Sequence, residues 1–297
     1  MSKTKVAIIG SGNIGMDLMF KVLGSDYLSM GLLAGVNADS ERLKKAESMG
    51  IPVSDKGIRA IEEDPACCEI VFDATTAKAH ILHAPLLRSL GKRVIDLTPA
   101  GVGVRVVPTL NLKENLDADN INLISCGGQA VLPVIGAVAE IATIEYAEAV
   151  NASGSLSVGP GTRANIDEYT NHTRHAIEDL TGAKKAKSII IINPADPPIL
   201  MHNTIFLVLE KLDETIAREA ERKILDKVEE VRRYVPGYHM VMAPQFDYDR
   251  RLVTTMVEIK GAGDYLPEYS GNLDIITQAA VHIAEIWARD IQGRCEQ

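Results

Sequence analysis

The sequence is poor in cysteine, in aromatic side chains and in long apolar runs. Of its 297 residues only four are cysteine and 4% are aromatic, with a single tryptophan. No uninterrupted apolar run approaches the roughly 18 residues that a membrane-spanning helix needs, so we expect no membrane segment. The content of 46% hydrophobic and 24% charged residues is typical of a folded globular protein rather than of a disordered chain.

Excess positive charge and metal-binding motifs are also missing. The chain has 31 Lys and Arg against 40 Asp and Glu, a net charge of −9. This balance disfavours nucleic acid as the main partner, because a surface that binds phosphate backbones is basic. The cysteines form no Cys-x-x-Cys pair and no cluster with histidine at zinc spacing, so we predict no metal site. With no secretory signal at the start of the sequence, we expect reduced thiols in a cytoplasmic protein.

Short β-branched runs alternate with amphipathic stretches from residue 5 to about residue 125. Apolar residues at helical spacing lie between the first four runs, so each predicted strand is followed by a crossover helix. Repeated βα units predict an α/β fold with an N-terminal, Rossmann-type, doubly wound parallel sheet. The predicted strands of this part are 5–9, 32–37, 69–73, 93–96 and 121–125.

The pattern changes after about residue 143. Long polar helices are predicted at 167–180 and 213–233, and few helical crossovers separate the later strands. This half therefore indicates a second, α+β domain with a mixed or antiparallel sheet. A final helix at 273–289 fits either domain. The predicted strands of this part are 144–151, 188–192, 202–209, 240–246 and 252–260.

A glycine-rich turn follows the first predicted strand. The run Gly10–Gly15 has the spacing Gly-x-Gly-x-x-Gly and opens a helix. The first two glycines permit a tight turn and a close backbone approach, and the helix N-terminus offers unpaired N–H groups to a pyrophosphate. The context of strand, turn and helix favours a dinucleotide site over an ordinary glycine-rich turn.

The end of the second predicted strand bears on the choice of dinucleotide. Asp39 lies about where an acid would accept hydrogen bonds from the adenosine ribose of NAD, although Asp39 with Ser40 also suits the N-cap of the next helix. Asn37 takes the more usual place of the acid, and Arg42 is near enough to meet a 2′-phosphate. We expect NAD, with NADP as the alternative.

Cys126 lies between an apolar strand and an apolar helix, and two glycines follow it. A thiol at the positive end of a helix is a candidate nucleophile, since lowering its pKa from about 8.5 to about 7 would raise the thiolate fraction at pH 7 more than tenfold. A lone cysteine is otherwise a small buried apolar residue, and we interpret Cys67, Cys68 and Cys295 in that way.

A nucleotide-binding domain followed by a nucleophilic cysteine indicates a particular chemistry. The thiolate adds to an aldehyde, the thiohemiacetal loses hydride to the nicotinamide, and a thioester remains on the cysteine. We expect the N–H groups of Gly127 and Gly128 to hold the oxyanion. Water, phosphate and coenzyme A are possible acceptors of the acyl group.

Blocks of sequence along nearly the whole chain carry a family resemblance. They resemble the CoA-acylating acetaldehyde dehydrogenases, which work beside 4-hydroxy-2-oxovalerate aldolase in the catabolism of aromatic hydrocarbons. The resemblance implies oxidation of acetaldehyde, or of another short aldehyde such as propanal, with NAD and coenzyme A. It also implies a homodimer in complex with the aldolase. The blocks are 3–15, 71–75, 94–100, 126–130, 159–168, 193–198, 234–238 and 265–275.

The resemblance also implies roles for particular residues. Cys126 matches the acyl-thioester cysteine, and Asn272 matches an asparagine near the nicotinamide. The last helix returns to the nucleotide domain, which gives an NAD-binding domain of 1–128 plus 272–297 and a catalytic and dimerisation domain of 129–271. The cofactor-binding residues implied are Ser11, Gly12, Asn13 and Ile14 at the pyrophosphate, and Ser157, Val158, Gly159, Pro160, Gly161, Thr162, Arg163, Ala164 and Asn165 in a second segment.

Two adjacent positions depart from the family pattern. His202 and Asn203 stand where many relatives carry Arg and then Asp. We predict that Asn203 belongs to the catalytic site, but an amide hydrogen-bonds without accepting a proton at pH 7. Two alternatives stay open: a phosphorylating or semialdehyde dehydrogenase of the same architecture, and an NAD-binding regulator without catalysis.

Overall fold

The computed structural model describes residues 3–295, and the chain divides into two compact units. One unit comprises Met1–Leu123 and Thr277–Gln297, and the other comprises Ile124–Ile276. None of the helices in the described residues combines the length and the apolar character of a membrane-spanning segment.

The first unit is built on a seven-stranded sheet in which every pair of neighbours is parallel. The strand order β3-β2-β1-β4-β5-β7-β6 has β1 near the middle, as in a doubly wound sheet. The strands are β1 (Thr4–Ile9), β2 (Leu28–Ala34), β3 (Val53–Ser54), β4 (Ile70–Asp73), β5 (Arg93–Asp96), β6 (Val104–Arg105) and β7 (Asn120–Asn122), and the helices are α1 (Asn13–Gly24), α2 (Glu41–Ser48), α3 (Arg59–Glu63), α4 (Ala77–Ser89) and α5 (Pro108–Asn111).

The second unit has a five-stranded mixed sheet with the order β11-β12-β10-β8-β9, in which only β8 and β9 pair in parallel. Alternate residues of its strands are buried, and α6 contacts three of them, β8, β10 and β12. Its strands are β8 (Ile144–Gly154), β9 (Ala186–Asn193), β10 (Met201–Leu209), β11 (Tyr238–Asp247) and β12 (Leu252–Ile259), and its helices are α6 (Cys126–Ala139), α7 (Pro160–Ala164), α8 (Ile166–Thr181) and α9 (Glu214–Arg232).

The last helix, α10, runs from Gly271 to Cys295 and is tied into the first unit along most of its length. Thr277 donates a hydrogen bond of 2.6 Å to the buried Asp17, and Ser25 donates one of 2.6 Å to Glu285. Trp287 is fully buried. These long-range contacts explain why the C-terminal segment packs with the N-terminal sheet.

The predicted α/β fold with a second α+β part is confirmed, but two strand boundaries were wrong. The strand predicted at 32–37 begins at Leu28 and ends at Ala34, and Val36 is 87% exposed because the chain has left the sheet. The strand predicted at 121–125 ends at Asn122. There the chain turns through Ile124, which has a positive φ of 66°, and Ser125 becomes a helix cap.

Candidate active site

Cys126 is the first residue of α6, and the turn before it is held by side-chain hydrogen bonds. The Oγ of Ser125 accepts a 2.9 Å hydrogen bond from the N–H of Gly128, which caps the helix. Ser125 also contacts the Oγ1 of Thr173 on α8 at 2.7 Å. Cys126 is a partly exposed free thiol. The cap therefore fixes the backbone on which this thiol is presented.

Gly127 allows two other side chains to approach the start of α6. A Cβ at this position would lie 2.2 Å from the hydroxyl oxygen of Tyr169 and 2.7 Å from Nδ2 of Asn151, so only glycine fits. The N–H of Gly127 donates a 3.1 Å hydrogen bond to the Tyr169 hydroxyl, and that same oxygen lies 3.7 Å from Sγ of Cys126. Tyr169 is thus brought against the thiol from α8.

The environment of Cys126 does not lower its pKa, contrary to the expectation from its place at a helix entrance. Burial raises the pKa of the thiol above its ordinary value and outweighs the opposing hydrogen bonds from Tyr169 and from the backbone N–H groups of Gly127 and Cys126. The loss of hydration of the thiolate is therefore larger than the stabilisation by these hydrogen bonds.

The expected oxyanion site at Gly127 and Gly128 is also not what the structure shows. Both N–H groups are already used by side chains, that of Gly127 by Tyr169 and that of Gly128 by Ser125. An N–H that donates within the protein is not available to an oxyanion without rearrangement. The spacing of the two glycines permitted this prediction, but side chains that are distant in sequence occupy the donors.

Two buried asparagines lie side by side in the sheet beneath this helix start. Asn203 on β10 is the register partner of Asn151 on β8, and they are 0% and 1% exposed. Both amide atoms of each side chain lack a hydrogen-bond partner among the described residues. Asn151 lies against Gly127, and Asn203 lies beside Asn151 on the neighbouring strand. Unpaired amides are costly in a protein interior.

The second predicted cofactor segment, 157–165, is a loop that enters α7 and α8. The amide of Asn272 donates a 3.1 Å hydrogen bond to the carbonyl of Ser157, so these two predicted residues are brought together. Arg163 donates to the carbonyls of Ser155 and Val158 at 2.7 and 3.0 Å and thereby holds the loop. A Cβ on Gly159 would meet nothing within 4 Å, which leaves open space beside the backbone.

Most of the other residues of this segment lie in α7 or directly after it. Asn165 donates to the carbonyl of Gly161 at 2.9 Å, and a Cβ on Gly161 would also meet open space. Thr162 and Ala164 are partly exposed and exposed, respectively. The side chain of Pro160 lies outside the described part of the structure, as does that of Cys295.

The glycine-rich turn of the first unit has the geometry that the spacing predicts. Gly10 has a φ of +110°, and a Cβ there would lie 2.5 Å from the carbonyl oxygen of Ala74. A Cβ on Gly15 would lie 1.7 Å from the carbonyl oxygen of Gly10, whereas one on Gly12 would meet nothing within 4 Å. Two glycines therefore allow the turn and the helix packing, and the third leaves the N-terminus of α1 open.

The candidates for adenosine recognition lie beside this turn. Arg42 donates a 2.7 Å hydrogen bond to Oδ1 of Asn13. Asn37 accepts one of 3.0 Å from the N–H of Asp39, and Ser40 is the residue that caps α2. Asp39 is thus an exposed side chain and not the cap itself.

Comparisons with known proteins agree along the whole chain. Acetaldehyde dehydrogenases from Bacillus cereus and Geobacillus stearothermophilus are each 50% identical to it, and the alignments cover 98% and 97% of this chain and 96% and 97% of theirs. The chain belongs to the acetaldehyde dehydrogenase family. The pattern described as "Prokaryotic acetaldehyde dehydrogenase, dimerisation" matches residues 126–267, which confirms the family resemblance inferred from the sequence.

Solved structures show the same fold in a more distant protein. Aspartate semialdehyde dehydrogenase II of Vibrio cholerae superposes with a TM-score of 0.63 over 97% of this chain and 99% of its own, at 15% identity. At this identity the likeness concerns the fold alone. This chain and the more distant protein therefore share one fold.

Two residues beside Cys126 were not found from the sequence. Tyr169 reaches the thiol from α8, and Asn151 reaches Gly127 from β8. Neither lies in a recognisable motif with Cys126, from which they are separated by 43 and 25 positions. The only signal was indirect: both are polar groups at inward-facing positions of amphipathic elements.

The first unit of this family member also contains a buried cluster of titratable groups. Asp73, at the end of β4, is fully buried and lies 2.9 Å from Nδ1 of His80 and 2.8 Å from Nδ1 of His83. Burial alone would raise the pKa of Asp73, but the hydrogen bonds from these histidines and from Thr75 lower it to about 2. Burial raises the pKa of the neighbouring Asp96 to about 6. The cluster thus holds Asp73 in its charged form.

Proposed function

We propose that this chain is an acylating acetaldehyde dehydrogenase that converts a short aldehyde, NAD and coenzyme A into acyl-CoA and NADH. The observation that carries this proposal is the partly exposed thiol of Cys126, which begins a helix with the hydroxyl of Tyr169 against it. A nucleophilic thiol at this place suits the aldehyde chemistry named for the family. Acetaldehyde and propanal are the proposed substrates.

The glycine-rich turn supports a dinucleotide cofactor, because Gly10 and Gly15 allow the tight turn and the close packing of backbone segments, while Gly12 leaves the N-terminus of α1 open. We assign Ser11, Gly12, Asn13 and Ile14 to the pyrophosphate of NAD. In the second unit we assign the segment 157–165 and Asn272 to the cofactor as well. When NAD is bound, its nicotinamide supplies the hydride acceptor that turns the adduct on Cys126 into a thioester.

The residues of the chain carry the remaining steps. The thiolate of Cys126 forms a C–S bond with the aldehyde carbon, and the carbonyl oxygen becomes an alkoxide. After oxidation, the thiol of coenzyme A attacks the acyl carbon, and the sulfur of Cys126 leaves and regains a proton. The amides of Asn151 and Asn203 supply unpaired groups for the carbonyl oxygen or an ordered water, and Asn203 does not serve as the base.

The decisive experiment measures NADH formation from acetaldehyde through pentanal, with coenzyme A, with phosphate, and with neither. We expect turnover only with coenzyme A and faster turnover with the shorter aldehydes. Cys126→Ala should abolish it, while Cys67→Ala should retain it. Equal rates with phosphate would favour a phosphorylating enzyme, and an active Cys126→Ala variant would refute the mechanism. The absence of turnover with every aldehyde would indicate a binding protein without catalysis.

The proposed assembly is a homodimer formed through the second unit, supported by the dimerisation pattern over 126–267. Light scattering after size-exclusion chromatography should give twice the chain mass of 32.2 kDa. We also propose that the enzyme binds a 4-hydroxy-2-oxovalerate aldolase in aromatic hydrocarbon catabolism. Co-expression and co-purification of the two proteins test this pairing.

A further inference from the structure

The hydroxyl of Tyr169 has three polar neighbours, Gly127, Cys126 and Ser125. It accepts a hydrogen bond from the N–H of Gly127 at 3.1 Å, and it lies 3.7 Å from Sγ of Cys126. The Tyr169 side chain is 8% exposed. A phenol that accepts a hydrogen bond through its oxygen can still donate its own hydrogen. The neighbouring groups determine which atom accepts that hydrogen.

The neighbouring hydroxyls of Thr173 and Ser125 already donate their hydrogens to other acceptors. Thr173 donates to the carbonyl of Tyr169 at 2.8 Å, so in its 2.7 Å contact with Ser125 the donor is Ser125. The N–H of Gly128 in turn donates to Ser125. Ser125, whose hydroxyl also approaches Tyr169, already accepts from Gly128 and donates to Thr173, so the sulfur of Cys126 is the remaining acceptor in contact with the Tyr169 hydroxyl.

We propose that the hydroxyl of Tyr169 donates a hydrogen bond to Sγ of Cys126, stabilises the thiolate before it attacks the aldehyde, and so makes Tyr169 a catalytic residue. This inference rests on the nucleophilic role of Cys126 proposed above. The donor is needed because the other groups that act on the sulfur are the backbone N–H groups of Cys126 and Gly127, and that of Gly127 is shared with Tyr169.

Tyr169 remains a donor at any pH at which the enzyme works. Burial, followed by the nearby Cys126, raises the pKa of Tyr169 well above its ordinary value, so the phenol stays protonated. A hydrogen bond to a charged acceptor is stronger than one to a neutral acceptor. The bond therefore strengthens when the thiol ionises, which is the requirement for a group that favours the thiolate.

The test is the pH dependence of Cys126 alkylation by iodoacetamide, followed on the Cys126 peptide by mass spectrometry. Tyr169→Phe removes the donor to the sulfur together with the acceptor of the Gly127 N–H. We expect the midpoint to rise by about one pH unit, with alkylation about tenfold slower at pH 7. Tyr238→Phe is the matched control, because its buried hydroxyl donates to the carbonyl of Ala130 at 2.7 Å. That variant should leave the midpoint unchanged.

A second variant gives a change in the opposite direction. Replacing Tyr169 with 3-fluorotyrosine makes the phenol a stronger donor and should lower the alkylation midpoint. A midpoint that is the same in wild type and Tyr169→Phe would overturn the proposal, as would an equal rise in Tyr238→Phe. Alkylation requires no turnover, so the failure of the proposed function, seen as an active Cys126→Ala variant, is distinguished from the failure of this inference.

Discussion

Replacing Asn203 with leucine should raise the stability of the protein and lower its activity. Asn203 is 0% exposed and is the third residue of β10, where it lies between Asn151 and Val257, its register partners on the two neighbouring strands. Both of its amide atoms lack a partner among the described residues. Leucine has a branched side chain of similar shape, so the substitution removes polar groups without opening a cavity.

The size of the effect follows from the cost of an unsatisfied buried group, about 1–3 kcal/mol. Some of this gain is lost because the methyl groups of leucine are larger than the amide atoms, so we expect a net increase of about 2 kcal/mol in the free energy of unfolding. For a unit of this size that corresponds to roughly 4–8 °C in Tm. Turnover should fall, because the amide that is lost is one that we propose to bind the carbonyl oxygen of the substrate or an ordered water.

Urea unfolding and a turnover assay on the same preparation measure both effects. Thr255→Val is the matched control, since the hydroxyl of Thr255 is 1% exposed and donates to the carbonyl of Met242 at 2.7 Å. Removing this satisfied bond should cost about 1 kcal/mol. A destabilised Asn203→Leu variant would refute the reasoning, because it would mean that the amide is satisfied in the folded protein.

Three further changes test other parts of the structure. Gly127→Ala should destabilise the protein by about 1–3 kcal/mol in thermal melts, because its Cβ would lie 2.2 Å from the hydroxyl of Tyr169. Arg42→Ala should reduce kcat/KM with NADP about tenfold more than with NAD, because it removes a cation placed beside Asn13. Asp73→Asn should lose about 2 kcal/mol of stability above pH 4, because the folded pKa of Asp73 is about 2 against the ordinary 3.8. As the pH falls from 4 to 2 the native carboxylate is protonated, so the difference from wild type should shrink.

For each of these three variants, one outcome would contradict the prediction. Gly24→Ala is the control for Gly127, since a Cβ there meets nothing within 4 Å, and equal melting of the two variants would count against the steric argument. If the ratio of kcat/KM with NADP to kcat/KM with NAD is the same in Arg42→Ala as in wild type, Arg42 does not discriminate between the two cofactors. A difference between Asp73→Asn and wild type that stays constant from pH 6 to pH 2 would show that the carboxylate is not the source of the stability.

The parts of the fold that were predicted correctly are those with a local signal. The strand predicted at 93–96 is observed as Arg93–Asp96, and the helix predicted at 213–233 is observed as Glu214–Arg232 with Asp213 as its cap. Their periodicity and capping residues lie within one segment of sequence. The two-residue strands β3 and β6 were missed because their pairing depends on the strands beside them.

The features of the site also divide into those with a local sequence signal and those that depend on distant segments. Cys126 was predicted to lie at the entrance of a helix, and the structure confirms that position. The expected lowering of its thiol pKa is not found, because burial is a property of the whole fold and outweighs the hydrogen bonds to the sulfur. The donors of Gly127 and Gly128 were likewise assigned from local spacing, although Tyr169 and Ser125 use them.

The sequence by itself determined the architecture, the glycine turn and the position of the thiol, because each depends on residues that are neighbours along the chain. Only the tertiary structure decided what surrounds that thiol. Tyr169 and Asn151 reach Gly127 from a helix and a strand that are far from it in sequence, and Asn203 joins them through strand register. Register and packing depend on the whole unit. They determine which polar groups form hydrogen bonds, which are left without a partner, and in which direction the pKa of the thiol is shifted.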